Sequence, residues 1–210
     1  MKKTIIILMA FIFLMHAANS QKARIGFTAG SSLANYKFKE GDEDQSGNSK
    51  AGFTAGLIVN VPAGKNFMIQ TGAHWVQKGT RDEQDNGSGG TDKASLTANS
   101  IEIPVNFLYT SNGGFFIGAG PSASFAVSGK AKFNDLSADL HFGNSTDDDM
   151  KGFDFGANVV TGYQSPGGFL VAANFNHGFS NLVPGDAGSS SIKSHYFGLR
   201  LGYVLKGKKS

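Results

Sequence analysis

Ile101-Glu102-Ile103-Pro104-Val105-Asn106-Phe107-Leu108-Tyr109 is the stretch on which the reading of the whole chain turns. Taken alternately, Ile101, Ile103, Val105, Phe107 and Tyr109 form one unbroken apolar face, and Glu102, Pro104, Asn106 and Leu108 form the other. Successive side chains of a strand point to opposite sides, whereas a helix needs a period near 3.6. A period of two carried by β-branched and aromatic residues therefore predicts a strand. Glu102 is the constraint, because a carboxylate in mid-strand must meet water or a polar partner inside.

Working outward, the same pattern recurs from residue 22 onward, with the odd-numbered residue apolar nearly every time. Toward the N-terminus, Ala23, Ile25, Phe27 and Ala29 oppose Arg24, Gly26, Thr28 and Gly30. Phe53, Leu57, Val59 and Val61 oppose Thr54, Gly56, Ile58 and Asn60, and Phe67, Ile69, Ala73 and Trp75 oppose Met68, Gln70, His74 and Lys78. Toward the C-terminus, Phe115, Ile117, Ala119, Pro121 and Phe125 stand against Gly118, Gly120, Ser122 and Ser124, with Phe116 an exception. Phe153, Phe155, Val159 and Tyr163 then oppose Asp154, Gly156 and Asn158, and Phe169, Val171, Phe175 and Phe179 oppose Asn174, Asn176 and Gly178. Phe197, Leu199, Leu201, Tyr203 and Leu205 close the series against Tyr196, Gly198, Arg200 and Gly202. With the opening stretch this gives eight strands, an even number that permits antiparallel closure.

Connections alternate in length. Residues 62–66, 110–114 and 164–168 are short turns built from Pro, Gly, Asn and Ser, while 34–50, 79–99, 129–152 and 180–194 are expected to be long polar loops. In an up-and-down meander the short turns and both termini fall at one end and the long loops at the other. On the apolar face, Phe67, Tyr109, Phe115, Tyr163, Phe169 and Tyr203 lie near the short turns, and Trp75, Phe125, Phe153 and Phe179 near the long loops. Two girdles of aromatics around an apolar band are what a lipid-facing wall requires. A soluble lipocalin-like barrel also alternates, but its outer face carries charge. Here the non-apolar face is mostly Gly, Ser, Asn and Thr, which suits the crowded interior of a narrow barrel. The expected fold is an all-β, eight-stranded antiparallel up-and-down transmembrane β-barrel.

The N-terminus reads as an export signal over residues 1–20, with the barrel domain over 21–210. Lys2 and Lys3 precede the apolar run Ile5 to Met15, and Ala18-Asn19-Ser20 offers small residues for cleavage before Gln21. That run is shorter than the roughly 20 residues a helix needs to span a bilayer. The 210 residues include no cysteine, which excludes a disulfide framework, a thiolate nucleophile and a lipoprotein-type cysteine. Without Lys2 and Lys3 the balance is 17 basic against 16 acidic residues, so nothing points to nucleic acid.

Several pieces carry a resemblance. Ile101-Glu102-Ile103-Pro104-Val105, Phe116-Ile117-Gly118-Ala119-Gly120-Pro121, Asp154-Phe155-Gly156-Ala157-Asn158 and Phe197-Gly198-Leu199-Arg200-Leu201-Gly202-Tyr203 are similar to the PorT-like outer-membrane β-barrel family, loosely described as porin-like. The resemblance covers about Ile25 to Leu205 and implies an eight-stranded barrel in the outer membrane of a Gram-negative cell. Such barrels commonly end on an aromatic residue, whereas this chain runs on through Lys206-Gly207-Lys208-Lys209-Ser210.

The inward ionisable residues are Arg24, His74, Lys78, Glu102, Asp154 and Arg200. In a narrow lumen, charges must pair or stay hydrated, so a network is expected in which Glu102 accepts from Arg200 with His74 or Arg24 nearby. Its bland reading is structural plugging; its functional reading is a gated ion path or a binding spot. Phe175-Asn176-His177-Gly178-Phe179-Ser180 is similar to the His and Ser of lipid A deacylases, but the longer spacing sends His177 and Ser180 to opposite faces. Asp42-Glu43-Asp44 begins like a calcium loop, yet Phe53 stands where a bidentate carboxylate belongs. Asp147-Asp148-Asp149 is a second acidic cluster, and Gly87-Ser88-Gly89-Gly90 lacks the lysine of a phosphate loop.

No catalytic, metal or cofactor site is expected. The expectation is a non-enzymatic outer-membrane protein with periplasmic termini and loops for surface interaction or envelope integrity. Its partners would be outer-membrane lipid or lipopolysaccharide, the barrel-assembly machinery and an envelope or extracellular protein. A small solute pore and a soluble ligand-binding barrel are the alternatives.

Overall fold

The computed structural model describes residues 23–41, 43–85, 90–185 and 188–205. The expected export signal, the Lys206–Ser210 tail, Asp42 and Gly87-Ser88-Gly89 lie outside them. Ten strands are formed: β1 (Arg24–Glu40), β2 (Glu43–Ser46), β3 (Asn48–Pro62), β4 (Phe67–Asp85), β5 (Thr91–Thr110), β6 (Phe115–Phe133), β7 (Leu136–Asp139), β8 (Phe153–Gln164), β9 (Phe169–Gly178) and β10 (Ser191–Val204). Eight of them pair in chain order, β1-β3-β4-β5-β6-β8-β9-β10, and β10 returns antiparallel onto β1 from Gly26↔Val204 to Lys39↔Ser191. The ring is closed. β2 and β7 are short strands folded back on the outer ends of β1 and β6.

Alternation decides which way each residue points. Leu57, Leu199, Leu201 and Ile117 are each more than half exposed on the outer wall, while Glu102, Asn60 and Tyr196 inside are fully buried. A continuous exposed belt of Phe, Leu, Ile and Val would be far larger than the apolar patches soluble monomers carry, and it matches a lipid-facing surface. Cross-strand aromatic pairs stiffen the belt near the turns: Phe67 stacks on Phe107 at 5.3 Å, Phe115 meets Tyr163 at 5.1 Å, and Phe27 meets Tyr203 at 6.2 Å. Phe125 and Phe153, 5.2 Å apart, mark the other rim beside Trp75.

Pro104 sits in mid-strand although it cannot donate to a ladder. The paired register of β4 with β5 skips from Thr71↔Val105 to His74↔Glu102, and Thr71 Oγ1 donates to the Pro104 carbonyl at 2.9 Å. The proline therefore occupies a local interruption of the ladder, the place where a strand tolerates it.

One expectation is corrected. The segment 79–99 is not a long loop: β4 and β5 continue as a paired hairpin through Gln77↔Asn99 to Asp85↔Thr91. The segments 34–50 and 129–152 are likewise partly strand, through β1, β2, β3, β6 and β7. Backbone pairing is indifferent to side-chain polarity, so beyond the apolar belt the outer face need no longer be apolar, and the alternation signal fades while the strands persist.

The orientation of the wall is testable. Leu199→Arg, on the outer face midway along β10, should destabilise the folded barrel in lipid vesicles by about 2–4 kcal/mol. Urea titration of the refolded protein measures this, and an unchanged midpoint would mean that Leu199 faces water.

Candidate functional site

Ionisable side chains from several strands converge in the interior, which is organised in layers. Nearest the short turns, Ile58, Met68, Leu108, Phe116, Val160, Leu170, Ala172 and Val204 form a buried apolar cluster across the lumen. Each is an even-numbered, inward residue on the strand that carries it, so the lumen is sealed at that end by side chains rather than by a folded-in loop.

Above that layer lies an amide stratum. Asn158 Nδ2 donates to Asn106 Oδ1 at 3.0 Å, Asn174 Nδ2 donates to Asn158 Oδ1 at 3.1 Å, and Gln70 Nε2 donates to Asn60 Oδ1 at 3.0 Å. Asn176 Nδ2 donates to Ser122 Oγ at 2.7 Å. Gly198 leaves room for Asn174, since a Cβ added there would come within 2.4 Å of Asn174 Oδ1 and the amide would have to move.

The charged stratum is centred on Glu102, which β5 delivers to the middle of the lumen. The Tyr196 hydroxyl donates to Glu102 Oε1, and Lys78 Nζ stands 3.5 Å from Glu102 Oε2. Lys78 also reaches Ser124 Oγ at 3.3 Å and lies over the Tyr196 ring, 5.3 Å from its centroid. Arg200 donates from a terminal guanidinium nitrogen to the Tyr196 hydroxyl at 3.0 Å. The expected direct pair of Glu102 with Arg200 is therefore replaced by two arrangements: an ion pair with Lys78, and a relay from Arg200 through Tyr196. Tyr196 was legible as an inward residue but not as the link, because periodicity gives the face and not the height in the lumen.

The other inward groups distribute as follows. His74 is opposite Glu102 in the β4–β5 register and almost fully buried, with neither ring nitrogen hydrogen-bonded. Asp154 accepts from Ser194 Oγ at 2.6 Å, and Gly178 leaves room for its carboxylate, which would meet an added Cβ at 2.3 Å. Arg24 does not join the network; it lines the opening at the short-turn end beside Pro62, Phe116 and Gln164. At the far end, Tyr36 and Ala98 from the strands pack with Met150 and Leu182 from the connecting loops. Those two loops are tied together by the Lys151 N–H donating to the Leu182 carbonyl at 2.8 Å. Between this cover and the charged stratum a cavity of ≈ 20 Å³ remains, lined by Lys78, Ser124, Asp154 and Ser194 among others, which is room for about one water.

The remaining candidates resolve simply. Ser180 Oγ accepts from the Phe155 N–H at 2.9 Å, so it caps backbone rather than facing His177 as a nucleophile. Asp148 accepts from the Ser145 N–H and Asp149 from the His141 N–H, both at 2.8 Å, so these carboxylates fasten their own loop. Phe67, Trp75, Tyr109, Phe115, Phe169 and Tyr203 are exposed on the outer wall, and Tyr163 is half-buried there.

The comparisons with known proteins bear on this architecture. A family model described as outer membrane protein beta-barrel domain matches residues 18–183. No curated protein matches the chain. Among solved structures, the chain is similar to Ail, the attachment invasion locus protein of Yersinia pestis, in complex with the heparin analogue sucrose octasulfate. The identity is 13%, with 87% of this chain and 99% of that one covered and a TM-score of 0.48. It is also similar to OprG from Pseudomonas aeruginosa (10% identity, 89% and 98% covered, TM-score 0.46) and to Neisserial surface protein A (10%, 84% and 96%, TM-score 0.43).

Removing one member of a buried ion pair strands the other. Lys78→Met should cost about 3–5 kcal/mol by leaving Glu102 unpaired. The double variant Lys78→Met/Glu102→Gln should recover most of that loss in the same urea titration. A single variant as stable as the parent would show that the two residues do not interact.

Proposed function

Because the chain belongs to the outer membrane protein beta-barrel domain family, we propose that it serves as a closed, non-enzymatic barrel that displays its long connections at the cell surface. The single observation that carries this reading is the filled lumen. An apolar layer spans the turn end, a hydrogen-bonded and ion-paired stratum fills the middle, and Met150 and Leu182 cover the far end. Eight-stranded barrels have interiors just wide enough for side chains, and here the side chains are interlocked. The charged stratum is then structural: it fills space and fixes strand register.

The orientation follows from the asymmetry of the connections. Short turns and both termini belong in the periplasm and the extended hairpins outside, as in bacterial barrels generally. An export signal over residues 1–20 would bring the chain to the periplasm and the barrel-assembly machinery would insert it. The PorT-like assignment rests on the residues of β5 and β6 quoted above. The hairpins β4–β5 and β6–β7 and the tied loops at 140–152 and 179–190 are the surface offered to lipopolysaccharide and to an envelope or extracellular protein.

A planar-bilayer recording separates this reading from a solute pore. Insertion of the purified barrel should give no steady unitary openings at moderate voltage. Reproducible discrete conductance steps would contradict the closed lumen.

A further inference from the structure

Above the apolar belt, the outer wall of the β4–β5–β6 extension changes chemistry in regular steps. The last complete apolar row is Trp75, Ile101 and Phe125, side by side across the three strands, with Val127 exposed just beyond Phe125. The next row is uncharged and internally bonded: Gln77 Nε2 donates to Asn99 Oδ1 at 3.1 Å, and Asn99 Nδ2 donates to Ser128 Oγ at 3.0 Å. Then come Gly79, Thr97 and Lys130, followed by Arg81, Ser95 and Lys132. On one face of a strand each row lies about 7 Å beyond the last. The cations therefore begin at headgroup height, just outside the lipid band.

A bulge puts them there. The β5–β6 register shifts between Ser100↔Ala126 and Asn99↔Ser128, which inserts Val127 as an extra residue. Below the shift the even residues Ser122 and Ser124 are buried in the lumen; above it the even residues Lys130 and Lys132 are exposed beside Thr97 and Ser95. Without the extra residue both lysines would point inward. Bulges re-aim side chains in this way. Lys50 converges from β3: it crosses over Gly79, where an added Cβ would meet its Cδ at 3.0 Å, and donates to Thr97 Oγ1 at 2.6 Å and Ser95 Oγ at 3.3 Å.

The result is a shallow groove lined by Lys50, Arg81, Lys93 and Lys132, with Asp82 and Glu83 on its upper side. Asp82 is occupied by the hairpin, accepting from the Glu83 N–H at 3.0 Å and from Gln84 Nε2 at 3.2 Å. Among the described residues, Lys50, Arg81 and Lys132 have no ion-pair partner, whereas Lys130 pairs with Asp139 at 3.6 Å. Burial lowers the Lys50 ammonium from the usual lysine range, and the charges of Lys132 and Arg81 push the same way. Gathering like charges this closely is unfavourable unless an anion joins them.

We infer that this groove binds the phosphorylated sugar headgroup of an outer-leaflet glycolipid of the lipid A type. Its acyl chains would lie on the belt below Trp75, its sugar hydroxyls against the Gln77–Asn99–Ser128 row, and its phosphate between Lys50, Arg81 and Lys132. The inference rests on the reading that the long hairpins face outward, since only that leaflet carries such a lipid.

The test uses the full chain refolded in detergent, with bound lipid counted by native mass spectrometry. The probes are phosphorylated lipid A, the same lipid A with its phosphates removed, and inorganic phosphate. Phosphorylated lipid A should bind, at least tenfold more tightly than the dephosphorylated form, and should weaken as salt rises. Lys50→Gln/Arg81→Gln/Lys132→Gln should lose at least tenfold in affinity; Lys132→Gln alone should lose less, and Lys65→Gln at the turn end nothing. The heat-modifiable gel shift checks that each variant is folded. Equal binding of both lipid A forms, an unchanged triple variant, or inorganic phosphate competing as well as the lipid would overturn the inference. Whole-cell labelling of a cysteine placed at Asp135 with an impermeant maleimide reads the orientation separately: binding without labelling refutes the outward hairpins, and labelling without binding refutes the groove.

Discussion

Lipid offers no hydrogen bond to a peptide group, and the whole architecture answers that constraint. A sheet with a free edge would leave a row of N–H and C=O groups unsatisfied in hydrocarbon, at several kcal/mol each. Pairing β10 with β1 removes the edge. Once the ring is closed, alternation leaves each of its eight strands, along the apolar belt, with one face on the acyl chains and one face in a confined lumen. The side-chain chemistry follows: Phe, Leu, Ile and Val outside, and whatever can be packed and satisfied inside.

The inside is the harder problem. An apolar filling would be simplest, and the layer from Ile58 to Val204 adopts it. Further up, the chain uses amides and charges, which must then satisfy one another in a space with almost no water. The Asn106–Asn158–Asn174 chain does so in part: the Asn106 carbonyl on β5 takes the amide of Asn158 from β8, across the lumen, and the Asn158 carbonyl takes that of Asn174 from β9. Glu102 does so with Lys78 on one oxygen and the Tyr196 hydroxyl on the other, Arg200 supporting the tyrosine. Because partners come from β4, β5 and β10, a register slip in any of these strands would separate them. The polar core thus specifies alignment as well as filling the barrel.

Period-two alternation made the eight barrel strands, the lipid-facing side and the inward charges legible, since each depends only on residue type and parity. What it did not convey depends on position along the barrel axis. Glu102 and Arg200 are both inward, but their contact is relayed by Tyr196, and Lys78 takes the direct place. Arg24 has the right parity and the wrong height. Ile58, Met68, Leu108 and Phe116 stood out in the sequence as apolar residues on the polar face; their clustering beside the short turns was the available signal of a seal. Met150 and Leu182 carried none, because loops have no period. The continuation of β4 and β5 past residue 79 was hidden for the complementary reason: beyond the lipid the outer face need not be apolar.

The account stands or falls on three environments coexisting along one strand: lipid outside, a dry filled lumen inside, and water only beyond the rim. The chain has no cysteine, so single cysteines can be placed at each position from Ile101 to Tyr109 of the bilayer-embedded protein without background. A spin label or fluorophore at each site, read with a lipid-soluble and a water-soluble quencher, reports the environment directly. Odd positions should be quenched only from the lipid phase, and even positions by neither reagent. Even positions quenched from water would mean an open lumen, and loss of the odd–even contrast would mean that this strand does not line a membrane barrel.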